Sequence, residues 1–185
     1  DVLKQDYPNY EVLVVDQTPK HQPEIEAYLK EQADSGKIQW YRLDWASLPG
    51  ARNYAVRRSG GEIILFIDDD VLLEPGYLAA HAKNYQNPEI GAVAGRVFDR
   101  MKMEDSAKGY TQGEGNYTEL EYLPPQAMDP GVAWYYIDLV HTTKPQQVLT
   151  ARGCNMSFRR ELFTKNGLHF DERFRGRDDR EESDI

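Results

Sequence analysis

The strongest constraint on the fold is an apolar run that ends in three consecutive carboxylates. Residues 63–67 are Ile-Ile-Leu-Phe-Ile, Gly60 and Gly61 lie just upstream, and residues 68–70 are all Asp. Such a run predicts a strand that is buried on both faces. Ligands of open α/β sheets bind at the carboxyl ends of strands, and neighbouring carboxylates repel one another unless a cation lies beside them. The pattern therefore predicts a divalent metal that carries a phosphorylated ligand.

The first hundred residues alternate between predicted strands and predicted helices with short connections. Apolar or aromatic runs predict strands at 11–15, 38–43, 63–67 and 90–98, and Pro or Gly signals predict helices that begin near residues 23, 51 and 76. This alternation is typical of a mostly parallel sheet with helices on its faces. A chain of 185 residues suits one domain with a full core, so we predict a single three-layer α/β/α domain over residues 1–185.

The second half of the chain is less regular. Residues 101–131 are rich in Gly, Pro, Tyr and charged residues without a clean period, which predicts a long functional loop. Residues 134–140 and 147–151 have the pattern of two paired strands. Ser157 is a suitable N-cap for a short helix at 159–165. The regular α/β pattern is therefore expected mainly within the first hundred residues.

Charge and cysteine content limit the partners and the compartment. The net charge of −9 argues against a nucleic-acid partner, because binding to nucleic-acid phosphates needs a basic surface. Cys154 is the only cysteine, which excludes an internal disulfide and favours a reducing, cytoplasmic compartment. No apolar run approaches the roughly 18 residues of a membrane span, so association with the inner face of a membrane would be peripheral or use an anchor outside this chain.

Five segments of the chain carry a set of ordered motifs. They are residues 7–16 (YPNYEVLVVD), 50–53 (GARN), 67–70 (IDDD), 152–160 (RGCNMSFRR), and 170–174 (FDERF) followed by 181–185 (EESDI). In this order and spacing they resemble the family 2 glycosyltransferases of the GT-A fold. They match, in turn, that family's second-strand region, its ARN helix start, its DXD motif, its G-x-N-x-x-F-R-R segment and its FDE-F…ED-x-D-L ending.

The resemblance implies a Rossmann-like GT-A fold and the transfer of a sugar from a nucleotide-diphosphate sugar to an acceptor hydroxyl. Transfer in this family is an inverting single displacement. The implied donor is a UDP-, dTDP- or GDP-sugar, the implied cofactor is Mg²⁺ or Mn²⁺, and the implied acceptor is a carbohydrate or a lipid-linked molecule. Bacterial surface polysaccharide synthesis is the commonest setting of the family.

The family's opening strand and the helix after it have no match in this sequence. We therefore expect a GT-A-like fold that lacks its first strand, and little or no activity from this chain alone. A sheet with an open edge can pair with a second copy, so a homodimer is one expected arrangement.

Five side chains are expected to hold the donor and the metal. Asp70 is predicted to contact the metal with help from Asp68, because a divalent cation stabilises the leaving diphosphate as a Lewis acid. The resemblance places Asp69 near the donor ribose and Asp16 on the nucleotide base. Arg52 is predicted to balance the charge of the diphosphate. Each of these residues could instead have a purely structural role. The three Asp residues could cap a helix or turn, Asp16 could form an Asx turn, and Arg52 could form an ion pair on the surface.

Acceptor-side residues are expected near the end of the chain and in the Gly-x-Asn segment. Glu182 is the predicted general base, because a carboxylate within hydrogen-bond reach of a hydroxyl can take its proton. The family usually has Asp at that position, and the nearby Asp184 could serve instead. Asn155 and Arg152 are predicted to line the acceptor cleft. These residues could also have purely structural roles. The acidic run that contains Glu182 and Asp184 could be the solvated start of a helix, and Asn155 could bond to buried backbone groups in a turn.

Two other functions stay open on the sequence. An apolar strand followed by Asp-x-Asp also begins the haloacid-dehalogenase-like phosphatases, in which Asp68 would be the nucleophile and Asp70 the acid/base. Those enzymes usually have Gly-Thr where this chain has Val71 and Leu72. The second alternative is a fragment that binds a nucleotide sugar without turnover.

Overall fold

The computed structural model describes residues 1–97, 145, 148 and 151–174. The predicted loop at 101–131 lies outside the described residues, and so do the predicted strands at 134–140 and 147–151 apart from Val148 and Ala151. Glu182 and Asp184 also lie outside them.

The described part alternates strands and helices, as the sequence predicts for its first hundred residues. Each strand and helix predicted there is present, with ends shifted by a few residues. In chain order the elements are a 3-10 helix (Val2–Lys4), β1 (Leu13–Asp16), α1 (Pro23–Asp34), β2 (Gln39–Arg42), α2 (Leu48–Arg58), β3 (Ile63–Phe66), α3 (Tyr77–Asn84), β4 (Ala92–Ala94), β5 (Met156–Arg159) and α4 (Arg160–Thr164). Among these helices, none has the length and apolar character needed to cross a membrane.

The described strands pair into two sheets. β1 and β2 are parallel, with Leu13 opposite Gln39 and Asp16 opposite Arg42. β3 and β4 each pair antiparallel with β5, which lies between them, so β3 and β4 point in the same direction. The α/β class is confirmed, and β5 adds an antiparallel strand that the sequence does not predict. Helices α1, α2 and α4 pack on β2, β1 and β5 respectively.

The prediction that Ser157 caps a helix is wrong. Ser157 lies inside β5 opposite Leu65 and is fully buried, and Arg159 occupies the N-cap position of α4. The Ser157 hydroxyl is within hydrogen-bond distance of His81 and Tyr85. These long-range contacts outweigh the local preference of serine for helix caps.

The start of α2 follows directly from its sequence. The Ser47 hydroxyl accepts a hydrogen bond from the backbone N–H of Gly50 at 3.2 Å, and Pro49 lies in the first turn, where its missing N–H costs nothing. Gly50 packs beneath Trp45, since a Cβ at this position would lie 2.6 Å from the indole ring. This cap fixes the helix turn that carries Arg52.

The core lies around β3 and β5. Its members are apolar side chains that are buried or half-buried in one cluster: Val56, Ile64, Phe66, Met156, Phe158, Phe163 and Phe170. The Phe66 ring makes edge-to-face contacts with three other phenylalanine rings, the nearest being Phe170 with 5.1 Å between centres. Ile64 and Phe66 are buried, whereas Ile63 and Leu65 on the other face of β3 are half-buried. The sequence predicts that both faces of β3 are buried. The face with Ile64 and Phe66 is buried, whereas the opposite face is only half-buried.

We expect Phe66→Ala to lower the free energy of unfolding by about 3–5 kcal/mol, because it removes a buried ring and leaves a cavity. Phe174→Ala is the matched control: its side chain is 77% exposed, so the change should stay within about 0.5 kcal/mol. Urea denaturation followed by circular dichroism measures both. Equal losses in the two variants would contradict this account of the core.

Candidate functional site

The three acids lie where the sequence predicts them. Asp68, Asp69 and Asp70 follow the end of β3 after one residue, Ile67, and all three acids are exposed. Among the described residues, no three acidic, histidine or cysteine side chains converge into a group that could hold a metal ion. A cation bound at this acidic turn (residues 68–70) would therefore need further ligands, such as phosphate oxygens.

Arg52 of α2 lies beside the acidic turn. Its Nη2 atom is 3.9 Å from Oδ1 of Asp68, and its side chain is only 17% exposed. Burial raises the pKa of Asp68, and repulsion from Asp70 and Asp69 adds to the rise, while the Arg52 charge opposes it. Arg52 is thus partly buried and forms an ion pair with the exposed Asp68, as the structural alternative describes, and Asp68 is crowded by like charge.

Two neighbours position the Arg52 guanidinium. A Cβ at Gly153 would collide with Nη2 of Arg52, so only glycine leaves room for this arrangement. On another side the guanidinium lies over the ring of Phe170, 5.5 Å from its centre, at cation–π distance. The Gly-x-Asn segment and the FDE segment therefore meet at the arginine of the ARN motif.

Hydrogen bonds of Asn53 connect the FDE segment (residues 170–172) to α2. Its Nδ2 donates to the Phe170 carbonyl at 2.8 Å and to Oε1 of Glu172 at 3.0 Å. Its Oδ1 accepts from the Phe170 N–H at 2.9 Å. The amide thus pairs with both backbone groups of Phe170 and holds that ring beside Arg52.

Asp16 lies at the carboxyl end of β1 and is buried. Its Oδ1 accepts from the backbone N–H of Thr18 at 2.9 Å, which is the Asx turn of the structural alternative. Its Oδ2 is 2.7 Å from Nε2 of His21 and accepts from Nε1 of Trp40 at 2.9 Å. Burial acts to raise the pKa of Asp16, but the hydrogen bonds from His21, Thr18 and Trp40 together outweigh it and lower the pKa. Asp16 is therefore a charged carboxylate near neutral pH.

Comparison with known protein families decides the assignment. The model for Glycosyl transferase family 2 matches residues 1–167. The chain belongs to this family. All five described strands and the acidic turn lie within the matched range.

Individual relatives agree with this membership. The chain is 30% identical over 96 residues to the O-antigen biosynthesis protein RfbC of Myxococcus xanthus, a match that covers 50% of this chain and 7% of RfbC. Two crystal structures of S. aureus TarS 1–349, one in complex with UDP, match with a TM-score of 0.60 at 16% and 18% identity. Each match covers 95% of this chain and 46% of the TarS chain. These structures confirm the predicted GT-A fold, and the chain spans under half the length of these relatives.

Asn155 of this family 2 member is buried in a polar network. Its Oδ1 accepts from the Tyr77 hydroxyl at 2.9 Å and is 2.8 Å from Nε2 of His81. Its Nδ2 donates to the carbonyl of Arg96 at 2.9 Å. This is the arrangement that the structural alternative for Asn155 describes, and the acceptor-side role of Asn155 stays a prediction.

The hydrogen bonds of His81 indicate which ring nitrogen carries a proton, and its burial indicates that the ring is neutral. Because the Asn155 oxygen only accepts, Nε2 of His81 carries a proton. Nδ1 lies 2.8 Å from the Ser157 hydroxyl, which is 2.8 Å from the Tyr85 hydroxyl, so a neutral ring can accept from Ser157. Burial lowers the pKa of His81 and outweighs the opposing effect of Asn155. The ring is therefore neutral near pH 7.

The turn at residues 152–154 lies close to the acidic turn. Burial raises the pKa of the Cys154 thiol, and the negative charge of Asp68 raises it further, while Arg152 opposes the rise. A thiol with a raised pKa forms less of the reactive thiolate, so Cys154 is a poor nucleophile. Arg152 is half-buried at the start of this turn, and its acceptor-side role stays a prediction.

The structure brings together Arg52 and Asp68 and adds Gly153 and Phe170 to them. Asp16 lies at the end of a different strand, with its own partners. The sequence analysis missed His21 and Trp40, which surround Asp16. A histidine five residues after a strand-ending acid is a weak local signal, and Trp40 is adjacent only through strand pairing.

We expect His81 to make the fold sensitive to mild acid. Its pKa is lower in the folded state than the unfolded value near 6.5, so stability is fully present above about pH 6.5 and falls as the pH drops from there towards the folded pKa. For one proton the slope cannot exceed about 1.4 kcal/mol per pH unit. His81→Gln should flatten it, and the exposed His169→Gln should leave it unchanged. Urea titrations between pH 5 and 8 measure these slopes, and a wild-type slope retained in His81→Gln would contradict the expectation.

Proposed function

We propose that this family 2 member takes part in metal-dependent, inverting transfer of a sugar from a nucleotide-diphosphate sugar to an acceptor hydroxyl. The acidic turn beside the buried Arg52 is the observation that carries the proposal. TarS was crystallised with UDP and RfbC is an O-antigen biosynthesis protein, which supports a nucleotide-sugar donor and polysaccharide synthesis. Because this chain is under half the length of these relatives, the activity proposed belongs to the whole protein.

The acidic turn suits Mg²⁺ or Mn²⁺ that is shared with a diphosphate. Asp70 and Asp68 would hold the ion, which would relieve the repulsion from Asp70 and Asp69 that adds to the effect of burial on the pKa of Asp68. Because Mg²⁺ is usually held by one or two carboxylates together with substrate phosphates, the remaining ligands of the ion would be phosphate oxygens and waters. When bound, the metal supplies Lewis-acid stabilisation of the leaving nucleoside diphosphate.

The remaining donor contacts are assigned to three side chains. Arg52 is oriented by Phe170 and Gly153 and would pair its guanidinium with diphosphate oxygens. Asp69, exposed in the acidic turn, would contact the ribose. Asp16 would contact the nucleobase through its charged carboxylate. A hexose is the proposed sugar, carried on UDP, dTDP or GDP.

The acceptor end of the reaction is assigned to the last residues of the chain. Glu182, with Asp184 as the alternative, would take the proton of the attacking hydroxyl as it displaces the diphosphate from the opposite face of the sugar. Arg152 and Asn155 are proposed on the same side. The acceptor is proposed to be a carbohydrate or a lipid-linked molecule. The protein is proposed to reach it from the cytoplasm by peripheral contact with the membrane. We also propose that the protein acts as a homodimer and without a nucleic-acid partner.

Family membership favours sugar transfer over the phosphatase alternative, which depended on Asp68 and Asp70 alone. A fragment that binds the nucleotide sugar without turnover would share the donor site. An assay of sugar transfer with a longer form of the protein separates the two: turnover indicates an enzyme, and binding without turnover indicates the alternative.

We expect Asp70→Ala to abolish the binding of UDP in the presence of Mn²⁺ in the full-length protein, because it removes the predicted metal ligand. Asp34→Ala is the matched control, since Asp34 is exposed on α1 and pairs with Lys30. Isothermal titration calorimetry with and without Mn²⁺ measures both variants. Unchanged affinity in Asp70→Ala would reject the metal site.

We expect Glu182→Gln to lower kcat by about 10²–10⁴-fold in the full-length protein, because general-base catalysis contributes an effect of that size. Binding of UDP and Mn²⁺ should be unchanged. Asp184→Asn is the comparison, and a large loss of kcat in that variant alone would move the base to Asp184.

A further inference from the structure

We propose that Tyr77 and His81 of α3 are positioning residues for the donor site. Through Asn155 they hold the turn at residues 152–155 against the guanidinium of Arg52. This role rests on the proposed function, in which Arg52 pairs with the donor diphosphate. It gives a purpose to a buried polar network that the proposed chemistry does not otherwise use.

The side chain of Asn155 connects three parts of the fold. Its Oδ1 accepts from the Tyr77 hydroxyl at 2.9 Å and from Nε2 of His81 at 2.8 Å, and both of these donors are on α3. Its Nδ2 donates at 2.9 Å to the carbonyl of Arg96, just beyond the end of β4. A Cβ at Gly95 would collide with Oδ1, so glycine permits this close approach. Because Asn155 is buried, these contacts fix the position of its amide.

The helix α3 contacts β5 and the residue before it through one polar face. Tyr77, His81 and Tyr85 recur at intervals of four residues, which places them on the same side of the helix. Tyr77 and Nε2 of His81 contact Asn155, and we call these contacts the Asn155 end of the network. Nδ1 of His81 and the Tyr85 hydroxyl contact Ser157 inside β5, and we call these contacts the Ser157 end.

The Asn155 end is connected to Arg52 through the backbone of the turn. The N–H of Asn155 donates to the Arg152 carbonyl at 3.0 Å and closes the turn at residues 152–155. Within this turn, a Cβ at Gly153 would collide with Nη2 of Arg52 and lie 3.2 Å from its Nη1. The turn backbone therefore supports one side of the guanidinium, and the position of that support depends on Asn155.

Loss of a donor at the Asn155 end should disturb the guanidinium. The Asn155 oxygen would be left partly unpaired in a buried place, which costs free energy, so the amide and the turn would shift. Arg52 would then lose the support that orients it beside Asp68. Because the pairing of a guanidinium with phosphate oxygens depends on its orientation, the donor diphosphate would bind less tightly. A residue that serves stability alone would not have this effect.

Two matched hydroxyl deletions in the full-length protein test this role. Tyr77→Phe removes a donor to Asn155, whereas Tyr85→Phe removes the same group from the Ser157 end. Isothermal titration calorimetry with UDP and Mn²⁺ should give an affinity at least about threefold lower in Tyr77→Phe, and a change of less than about twofold in Tyr85→Phe. Equal affinities in the two variants would overturn the proposal.

Two substitutions of His81 separate its two contacts. His81→Gln places an amide near the position of Nε2, where it can still donate to Asn155. His81→Asn reaches only the position of Nδ1 and keeps the contact with Ser157. The affinity for UDP with Mn²⁺ should fall at least about threefold in His81→Asn and be restored in His81→Gln. Affinities that follow the stability measured by urea denaturation, regardless of which contact is lost, would overturn the proposal.

A double-mutant cycle tests whether the effect passes through Arg52. Arg52→Lys keeps the positive charge but removes the planar group that the turn supports. In this background, Tyr77→Phe should change the affinity for UDP by less than about twofold. A full threefold loss in this background would show that the effect does not pass through the guanidinium, and would overturn the proposal.

The outcomes distinguish this role from the proposed function. If wild type binds no UDP in the presence of Mn²⁺, the proposed function fails and this role fails with it. If wild type binds UDP but the variants do not differ as described, only the role of Tyr77 and His81 is overturned. If His81→Asn does not fold, the pair Tyr77→Phe and Tyr85→Phe still decides the outcome.

Discussion

The arrangement of the candidate site depends on one partly buried cation. The Arg52 guanidinium lies against Gly153, over the ring of Phe170 and within 3.9 Å of Asp68. Four segments that are distant in sequence therefore meet at a single planar group. Because burying a charge is costly unless it is paired, this arrangement also ties the position of each segment to the others.

The local parts of this arrangement could be predicted from the sequence. An apolar run followed by acids specifies both a strand and the chemistry at its end, because the period of the strand and the repulsion of the acids are properties of neighbouring residues. The helix α2 is similar, since Pro49 signals a helix start without any tertiary contact, although the Ser47 cap places that start at Leu48 rather than near residue 51. The family motifs then placed Asp16, Arg52 and the acidic turn in the right order along the fold.

The remainder depended on contacts that a single sequence does not display. Ser157 has the composition of a helix cap, but it lies inside a strand because buried His81 and Tyr85 provide its partners. Gly153 and Phe170 lie before and after β5 in the sequence, and their contacts with Arg52 belong to a fold in which β5 pairs with β3. For Asp16 the local Asx turn is present at one oxygen, the other oxygen accepts from Trp40 across the paired strands, and the contact with a nucleobase stays a prediction.

The central position of β5 has an effect on how the chain assembles. β3 and β4 come early in the chain, yet each has β5 as its ladder partner in the described sheet. During synthesis, the strand that ends in the acids must wait until residue 159 has left the ribosome before it gains that backbone partner. Long-range pairing of this kind slows folding and leaves strand edges open for longer. Nascent chains of this family member should therefore depend on protection of those edges until the last described strand is inserted.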